Sequence, residues 1–398
     1  MSDKNNKTLK PGWRRVKFGD VVRLSKARSQ DPLADGIERY VGLEHLEPGD
    51  LRIRSWGSVA DGVTFTSVFQ PGQVLFGKRR AYQRKVAVAD FSGVCSGDIY
   101  VLETKDAQVL LPDLLPFICQ TDAFFDHAVG TSAGSLSPRT NWTSLADFEF
   151  VLPSIAEQRR ISLLLLKLEE VANSHHQLAE VAELATTSLV IDQLHVKRLD
   201  PYRGFLHGIP RGCALTKGED IFIPQSGNGE PDNFERDGDC IFLKVSDFNL
   251  NDEINIATGE AKYSSKKYPS LKIFGPGTVV FPKRGASIFL NKVGILRTRA
   301  ALDPNLMALT LHNPEQISPE FLYWLIKAIG LHRMADVTSV PQLNHKHLSP
   351  MRFALPDAAM RIDIVDRLAS IRGAWKAAEQ RRLDILKFKA QIVEKEIG

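Results

Sequence analysis

Cysteine is scarce in this chain of 398 residues: the four present, Cys95, Cys119, Cys213 and Cys240, show no CxxC spacing and no nearby ligand pair. That argues against a disulfide frame or a structural zinc site, and predicts reduced core thiols in a cytosolic protein. Long apolar runs are missing as well. The longest aliphatic run, Leu163 to Leu166, is far short of the roughly 20 residues a membrane helix requires, and no secretory signal opens the chain. Nor is there an excess of one charge. With 51 Lys and Arg against 47 Asp and Glu, the formal net charge is only +4, so bulk charge does not announce a nucleic-acid binder.

Familiar reaction motifs are absent too. Asp303-Pro304-Asn305-Leu306 lacks the second proline of an amino-methylation motif, and no glycine-rich methyl-donor loop or HExxH helix is found. Pro231-Asp232 is followed by Glu235-Arg236 in a turn-like stretch, without the PD...(D/E)xK set of metal-dependent nucleases. Gly72 to Arg79 falls one residue short of the phosphate-loop pattern, lacking the hydroxyl that holds magnesium, and its interior Val74-Leu75-Phe76 suits a strand. The chain offers recognition surfaces without an evident reaction centre.

What the chain does contain is a duplication. Ser137-Pro138-Arg139-Thr140-Asn141, followed by Leu152-Pro153, returns as Val340-Pro341-Gln342-Leu343-Asn344, followed by Leu355-Pro356, at an offset of 203 residues. Pro71 to Arg79 returns as Pro276 to Arg284 at an offset of 205, so a short indel separates the halves. This period is far longer than the roughly 20–50 residues of solenoid units. It implies a duplicated domain with two similar binding surfaces, in a chain already beyond the roughly 250–300 residues at which single cores stop growing.

Each half opens with short apolar runs broken by Gly, Pro, Asp and Asn, the pattern of brief strands and turns. A helix is expected over Asp113 to Ala123 after Pro112, and over Glu320 to Ile329 after Pro319. These portions, residues 1–152 and 201–356, read as mixed α/β domains. The intervening segments, 153–200 and 357–398, read as long helices of ~60 Å each. Leu164, Leu168, Val171, His175, Leu178, Ala182, Ala185 and Leu189 form a heptad stripe on the first. Ile364, Leu368, Ile371, Trp375, Ala378, Arg382, Ile385 and Ile392 repeat it less cleanly on the second. Neither stripe can be buried alone, so the two helices are expected to pack antiparallel on each other. A helix packed inside each domain is the alternative.

The densest chemical feature is Lys78-Arg79-Arg80-Ala81-Tyr82-Gln83-Arg84-Lys85, five cations around one aromatic. Lysine and arginine of this kind contact phosphates, and the arginine fork also reads base edges. The second half supplies Lys283-Arg284, then Ser287, Asn291 and Lys292, at the matching place. A charge run alone is usually a solvated face; its recurrence favours a binding role. Small polar turns add Ser135, Arg139 and Thr140 in the first half, and Thr338, Ser339, Gln342 and Lys346 in the second. For Asn141 and Asn344, capping of a loop is an equal alternative to base contact.

Several segments together resemble the specificity subunit of type I restriction-modification enzymes. They are Trp13 to Asp20, Leu75 to Arg80, Gly93 to Ile99, Asn141-Trp142, Phe150 to Gln158 and the long helix that follows. The resemblance spans nearly the whole chain. It implies an α+β fold with two target-recognition domains separated by two long antiparallel coiled-coil helices. Each domain would read half of a split site on double-stranded DNA. The helices would hold the domains apart and dock two methyltransferase subunits, with Leu164, Leu168, Leu178, Leu368, Ile371 and Trp375 as the docking positions. Restriction or translocase subunits would be further partners. S-adenosylmethionine, ATP and magnesium would sit on those partners, leaving this chain non-catalytic and cytoplasmic. The second half departs from the pattern, with Met360-Arg361-Ile362 in place of Glu157-Gln158-Arg159 and no tryptophan near Ile209. Two rival readings remain: a self-contained DNA methyltransferase or nuclease, and an adaptor that binds only proteins.

Overall fold

The computed structural model describes residues 9–194, 199–200, 204–205, 209, 211–336 and 341–398; Thr338 and Ser339 lie outside the described residues. The chain divides into two compact units, one of residues 1–178 and 377–398, the other of residues 179–376. Two long helices, Ile155–Gln193 and Ala358–Ile397, each contribute to both units. Among the described residues no helix is long and apolar enough to cross a membrane.

In the first unit a four-stranded sheet runs in the order Val22–Leu24, Ile99–Thr104, Val74–Gly77, Val86–Val88. Val74 to Gly77 is buried throughout, which explains its unbroken apolar sequence. A second sheet is ordered Gly57–Ser58, Arg39–Val41, Gly93–Cys95, Ser67–Phe69. An antiparallel ribbon of Arg14–Lys17 with Glu149–Leu152 leads into the first long helix. Phe18, Phe76, Phe117, Phe124, Phe148 and Phe150 form the heart of the core, which extends to Ile161 and Leu165 of the first helix and Val393 and Ile397 of the second. Arg160 pairs with Glu396 at 2.8 Å, and Lys389 pairs with Glu169, so the helices run antiparallel here.

The second unit repeats the plan. Its larger sheet is ordered Phe222–Ser226, Leu306–Leu311, Val279–Pro282, Gly294–Leu296, with Asn255–Ile256 added at the edge. The smaller one is ordered Ala261–Tyr263, Cys240–Leu243, Ala300–Leu302, Ile273–Phe274. Cys213–Lys217 pairs with Arg352–Pro356 as the equivalent ribbon. Val190 and Leu194 share this core with Ile364 and Leu368. Cys95, Cys119 and Cys240 are buried free thiols, and Cys213 is half-buried. Burial pushes the Cys95 thiol up to about 12.

Two expectations need correction. The helix expected from Asp113 to Ala123 is broken into Leu115–Ile118 and Asp122–Gly130. The buried Thr121 accepts the Phe124 N–H at 3.2 Å and donates to the Ile118 carbonyl at 3.0 Å, ending one helix and capping the next. Replacing Thr121 with alanine is expected to cost about 1 kcal/mol, measurable by urea unfolding.

Only part of the stripe on the first long helix is displaced, by one residue; Ala182 is buried and Leu168, His175, Ala185 and Leu189 are half-buried, on the expected face. Leu164, Val171 and Leu178 are exposed, while Gln158, Ile161, Leu165, Ala172 and Ala179 are buried. Gln158 is inside because it donates to the Val109 and Pro153 carbonyls and accepts the Leu111 N–H. The second helix keeps its expected face, with Ile364, Leu368 and Ala378 buried and Ile371 and Trp375 half-buried.

The lost Glu-Gln-Arg of the second half is also compensated. Arg361 stands where Gln158 does and donates to the Pro356 carbonyl at 2.5 Å and the Gln316 carbonyl at 2.9 Å.

Candidate nucleic-acid interface

In each unit a doubly buried strand ends at a Lys-Arg pair, and the next turn is tied to the loop that precedes the ribbon. In the first unit Arg79 lies in an antiparallel bridge opposite Arg139, and Arg139 is bridged in turn to Ala133. The Arg80 N–H donates to the Pro138 carbonyl at 2.7 Å, and the Thr140 N–H donates to the Lys78 carbonyl at 3.0 Å. The second unit repeats every one of these links. Arg284 is bridged to Gln342, and Gln342 to Asp336. Gly285 donates to Pro341 at 2.9 Å, and Leu343 donates to Lys283 at 2.8 Å.

The turn that follows is duplicated as well. Arg80 and Gly285 both adopt positive φ, 53° and 73°, and so do Arg84 and Asn291, at 56° and 48°. Between them lie the short turns Ala81–Gln83 and Ala286–Ile288. The Arg84 guanidinium donates to the Gln120 carbonyl at 3.0 Å, and the Asn291 amide donates to the Lys327 carbonyl at 2.8 Å.

This geometry divides the run of cations. Arg79, Arg80 and Arg139 converge, with one carboxylate among them. Asp98 accepts from Arg139 Nε at 2.7 Å and from Arg79 Nη1 at 3.2 Å. Ser137 Oγ accepts from Arg79 Nη2 at 3.0 Å and Arg80 Nη2 at 3.2 Å. The Nε atoms of Arg79 and Arg80 are buried without a hydrogen-bond partner. Three guanidinium groups against one carboxylate make this an anion-attracting surface. The hydrogen bond from Arg139, then that from Arg79, outweighs desolvation and holds the Asp98 carboxyl below its ordinary range. Its contribution to stability is therefore present above the ordinary carboxylate range and is lost as pH falls through the depressed value.

Other expected site residues are placed elsewhere. Arg84 pairs with Asp122 at 2.6 Å and lies over the Phe125 ring, and Lys85 donates to the Leu43 carbonyl. Lys78 sits over the Tyr100 ring at 4.6 Å. Tyr82 and Ser135 are exposed, and Thr140 is buried. In the second unit Lys283 donates to Ser226 Oγ at 2.6 Å, and that hydroxyl lies 3.5 Å from His345 Nε2. Burial, then the charge of Arg284, lowers the Lys283 ammonium from its ordinary value. Arg284 and Lys346 are exposed. Ser287 donates to the Arg284 carbonyl, and Lys292 donates to Asn249. Asn291 also accepts the Leu331 N–H, so its side chain fastens the turn to the neighbouring helix. Asn141 caps the helix Trp142–Ala146 by accepting the Ser144 N–H at 2.8 Å.

Asp98, Ser137, Ser226 and His345 were not among the sequence-derived site residues. Ser137 lay in the repeated motif itself, but its link to Arg79 and Arg80 spans almost 60 residues and leaves no local signal.

Comparisons with known proteins agree with this architecture. No family model matches the chain. A type I restriction enzyme EcoDI specificity subunit from Escherichia coli is 30% identical over 159 residues, covering 37% of this chain and 33% of that protein. The match thus spans about a third of the curated relative's length. A chain from a structure concerned with complex assembly and conformational transition of the type I R-M system is 18% identical, with a TM-score of 0.59 over 98% of each chain. The S subunit of a type I restriction-modification system from M. genitalium is 13% identical, with a TM-score of 0.59 over 100% of this chain and 98% of its own. The fold is that of a type I specificity subunit, with mixed α/β domains and two long antiparallel helices. The chain is similar to those subunits in fold along its length, and to the Escherichia coli subunit in sequence over 37% of it.

Proposed function

We propose that this chain is the DNA sequence-recognition subunit of a type I restriction-modification complex. Each recognition domain, residues 1–152 and 201–356, reads one half of a bipartite site in the major groove. The helices of residues 153–200 and 357–398 set the half-site spacing and dock two methyltransferase subunits. The observation that carries this reading is the cationic frame built twice, with the same backbone links and different side chains. Two copies of one frame suit two half-sites, and their differences suit a site whose halves differ in sequence.

Positioning falls to phosphate contacts from Arg80, Arg284 and Lys346, and discrimination to side chains that reach base edges. The exposed apolar residues Leu163, Leu164, Leu166, Val171 and Leu178 of the first helix offer a contact surface for a methyltransferase subunit. The chain itself is non-catalytic and works in the cytoplasm. S-adenosylmethionine, ATP and magnesium are held by the methyltransferase and the restriction or translocase subunits.

Cells expressing the chain with its methyltransferase partners should carry methylated bases in one split motif, read by sequencing of modified bases. Methylation without such a motif, or methylation by this chain alone, would refute the proposal. Because the cations act largely through phosphates, DNA affinity of the assembled complex should fall steeply between about 50 and 200 mM salt. A flat salt profile in a fluorescence-anisotropy titration would remove the electrostatic part of the argument.

A further inference from the structure

Superposing the two frames by their backbone links sets Arg79 against Arg284 and Arg139 against Gln342. The pairing of Lys78 N–H with the Asp98 carbonyl, and of Lys283 N–H with the Asn305 carbonyl, sets Asp98 against Asn305. One corner of the frame therefore holds Asp98 with Arg139 in the first unit and Asn305 with Gln342 in the second. Both charges of the pair have been exchanged for neutral amides together. Arg284, the counterpart of Arg79, keeps its charge, so the exchange is confined to the Asp98 and Arg139 positions.

We propose that Arg139 and Gln342 are equivalent base-reading positions, Arg139 selecting guanine in one half-site and Gln342 selecting adenine in the other, with Asp98 as the positioning residue for Arg139. The inference rests on the DNA-reading function proposed above.

Geometry at the first corner and side-chain chemistry at the second carry it. Asp98 takes the Nε side of the Arg139 guanidinium, with Nη2 at 3.4 Å, and Arg139 donates from Nη1 to neither Asp98 oxygen. A fork held in this way is pre-aimed, which suits the two acceptors O6 and N7 of guanine. Gln342 carries a donor and an acceptor on one amide, the pair that matches N6 and N7 of adenine. Asn305, at the place of Asp98, carries no charge.

The test is a reciprocal exchange in the assembled complex, read as the methylated motif. The unaltered complex should require guanine at a position in one half-site and adenine at a position in the other. Asp98→Asn with Arg139→Gln should convert that guanine to adenine, by at least about tenfold in preference, with the other half-site unchanged. Gln342→Arg with Asn305→Asp should convert the adenine to guanine in the other half. Asp98→Asn alone should weaken discrimination at the guanine position without altering the rest of the motif, which a purely structural ion pair would not do. The untouched half-site reports on folding in each variant. A split motif that none of these exchanges moves would overturn this inference and leave the proposed function standing. Absence of any split motif in the unaltered complex would overturn the function itself.

Discussion

Replacing Lys389 with alanine is expected to destabilise the first unit by about 3–5 kcal/mol. Lys389 is only 4% exposed, and its ammonium is held by the Glu169 carboxylate and by Gln120 Oε1 at 3.1 Å, near the Phe117 ring. Three segments of the first unit meet at this one nitrogen: the second long helix, the first long helix and the end of the helix Leu115–Ile118. Removing it leaves the Glu169 carboxylate, itself 12% exposed, without its counter-charge. The pair as a whole need not stabilise the unit, because desolvating two charges costs about as much as their attraction returns. Replacing both residues with methionine should therefore recover most of the loss. Urea unfolding of the single and double variants decides the matter. A single-variant loss under about 1 kcal/mol would show the pair to be screened by water, as exposed pairs are. The matching place in the second unit is built differently, with Glu253 paired to Lys327 at 3.3 Å and to Arg372 at 2.5 Å.

How much of this was legible in the sequence depends on the range of the interaction. The duplication was legible because Pro138, Pro341, Lys78 and Lys283 occupy the same places in two copies of one frame. The long helices were legible because Ser154 to Leu194 contains no Pro or Gly. The face that the first helix buries was only partly legible, with Ala182 of the expected stripe buried. Hydrophobic size favoured Leu164, Val171 and Leu178, whereas the structure buries Gln158, Ala172 and Ala179. Alanines allow close approach of a partner, and Gln158 is admitted by backbone partners around residues 109–111 and at 153, which no helical periodicity encodes.

The cation run shows the same limit. Lys78 to Lys85 reads as one basic surface, but residues of positive φ at Arg80 and Arg84 flank a tight turn. The turn leaves Arg79 and Arg80 beside Ser137 and sends Arg84 and Lys85 to the carbonyls of Gln120 and Leu43. Asp98, which gathers Arg79 and Arg139, lies 41 residues from the latter, and no spacing rule reaches that far.

Lengthening both long helices together is expected to change the number of unread base pairs between the half-sites. Four residues inserted after Glu180, with four after Ala377, add ~6 Å to each helix at 1.5 Å per residue. At 3.4 Å per base pair, the preferred site should gain between one and two base pairs. The insertions fall close to the boundaries of the two contact units, at residues 178 and 376, so the core of each unit is preserved. Changing only one helix is a different experiment. The Glu169 to Lys389 pair in the first unit and the Val190, Leu194, Ile364 and Leu368 cluster in the second fix the register at two places. A single insertion must break one of them, so loss of stability is expected instead of a clean change in spacing. Site selection from random DNA by the assembled complex measures the outcome. If the matched insertion returns the original spacing, the helices do not act as the ruler. The distance between half-sites would then be set by the partner subunits, through the exposed apolar face that Leu164, Val171 and Leu178 present.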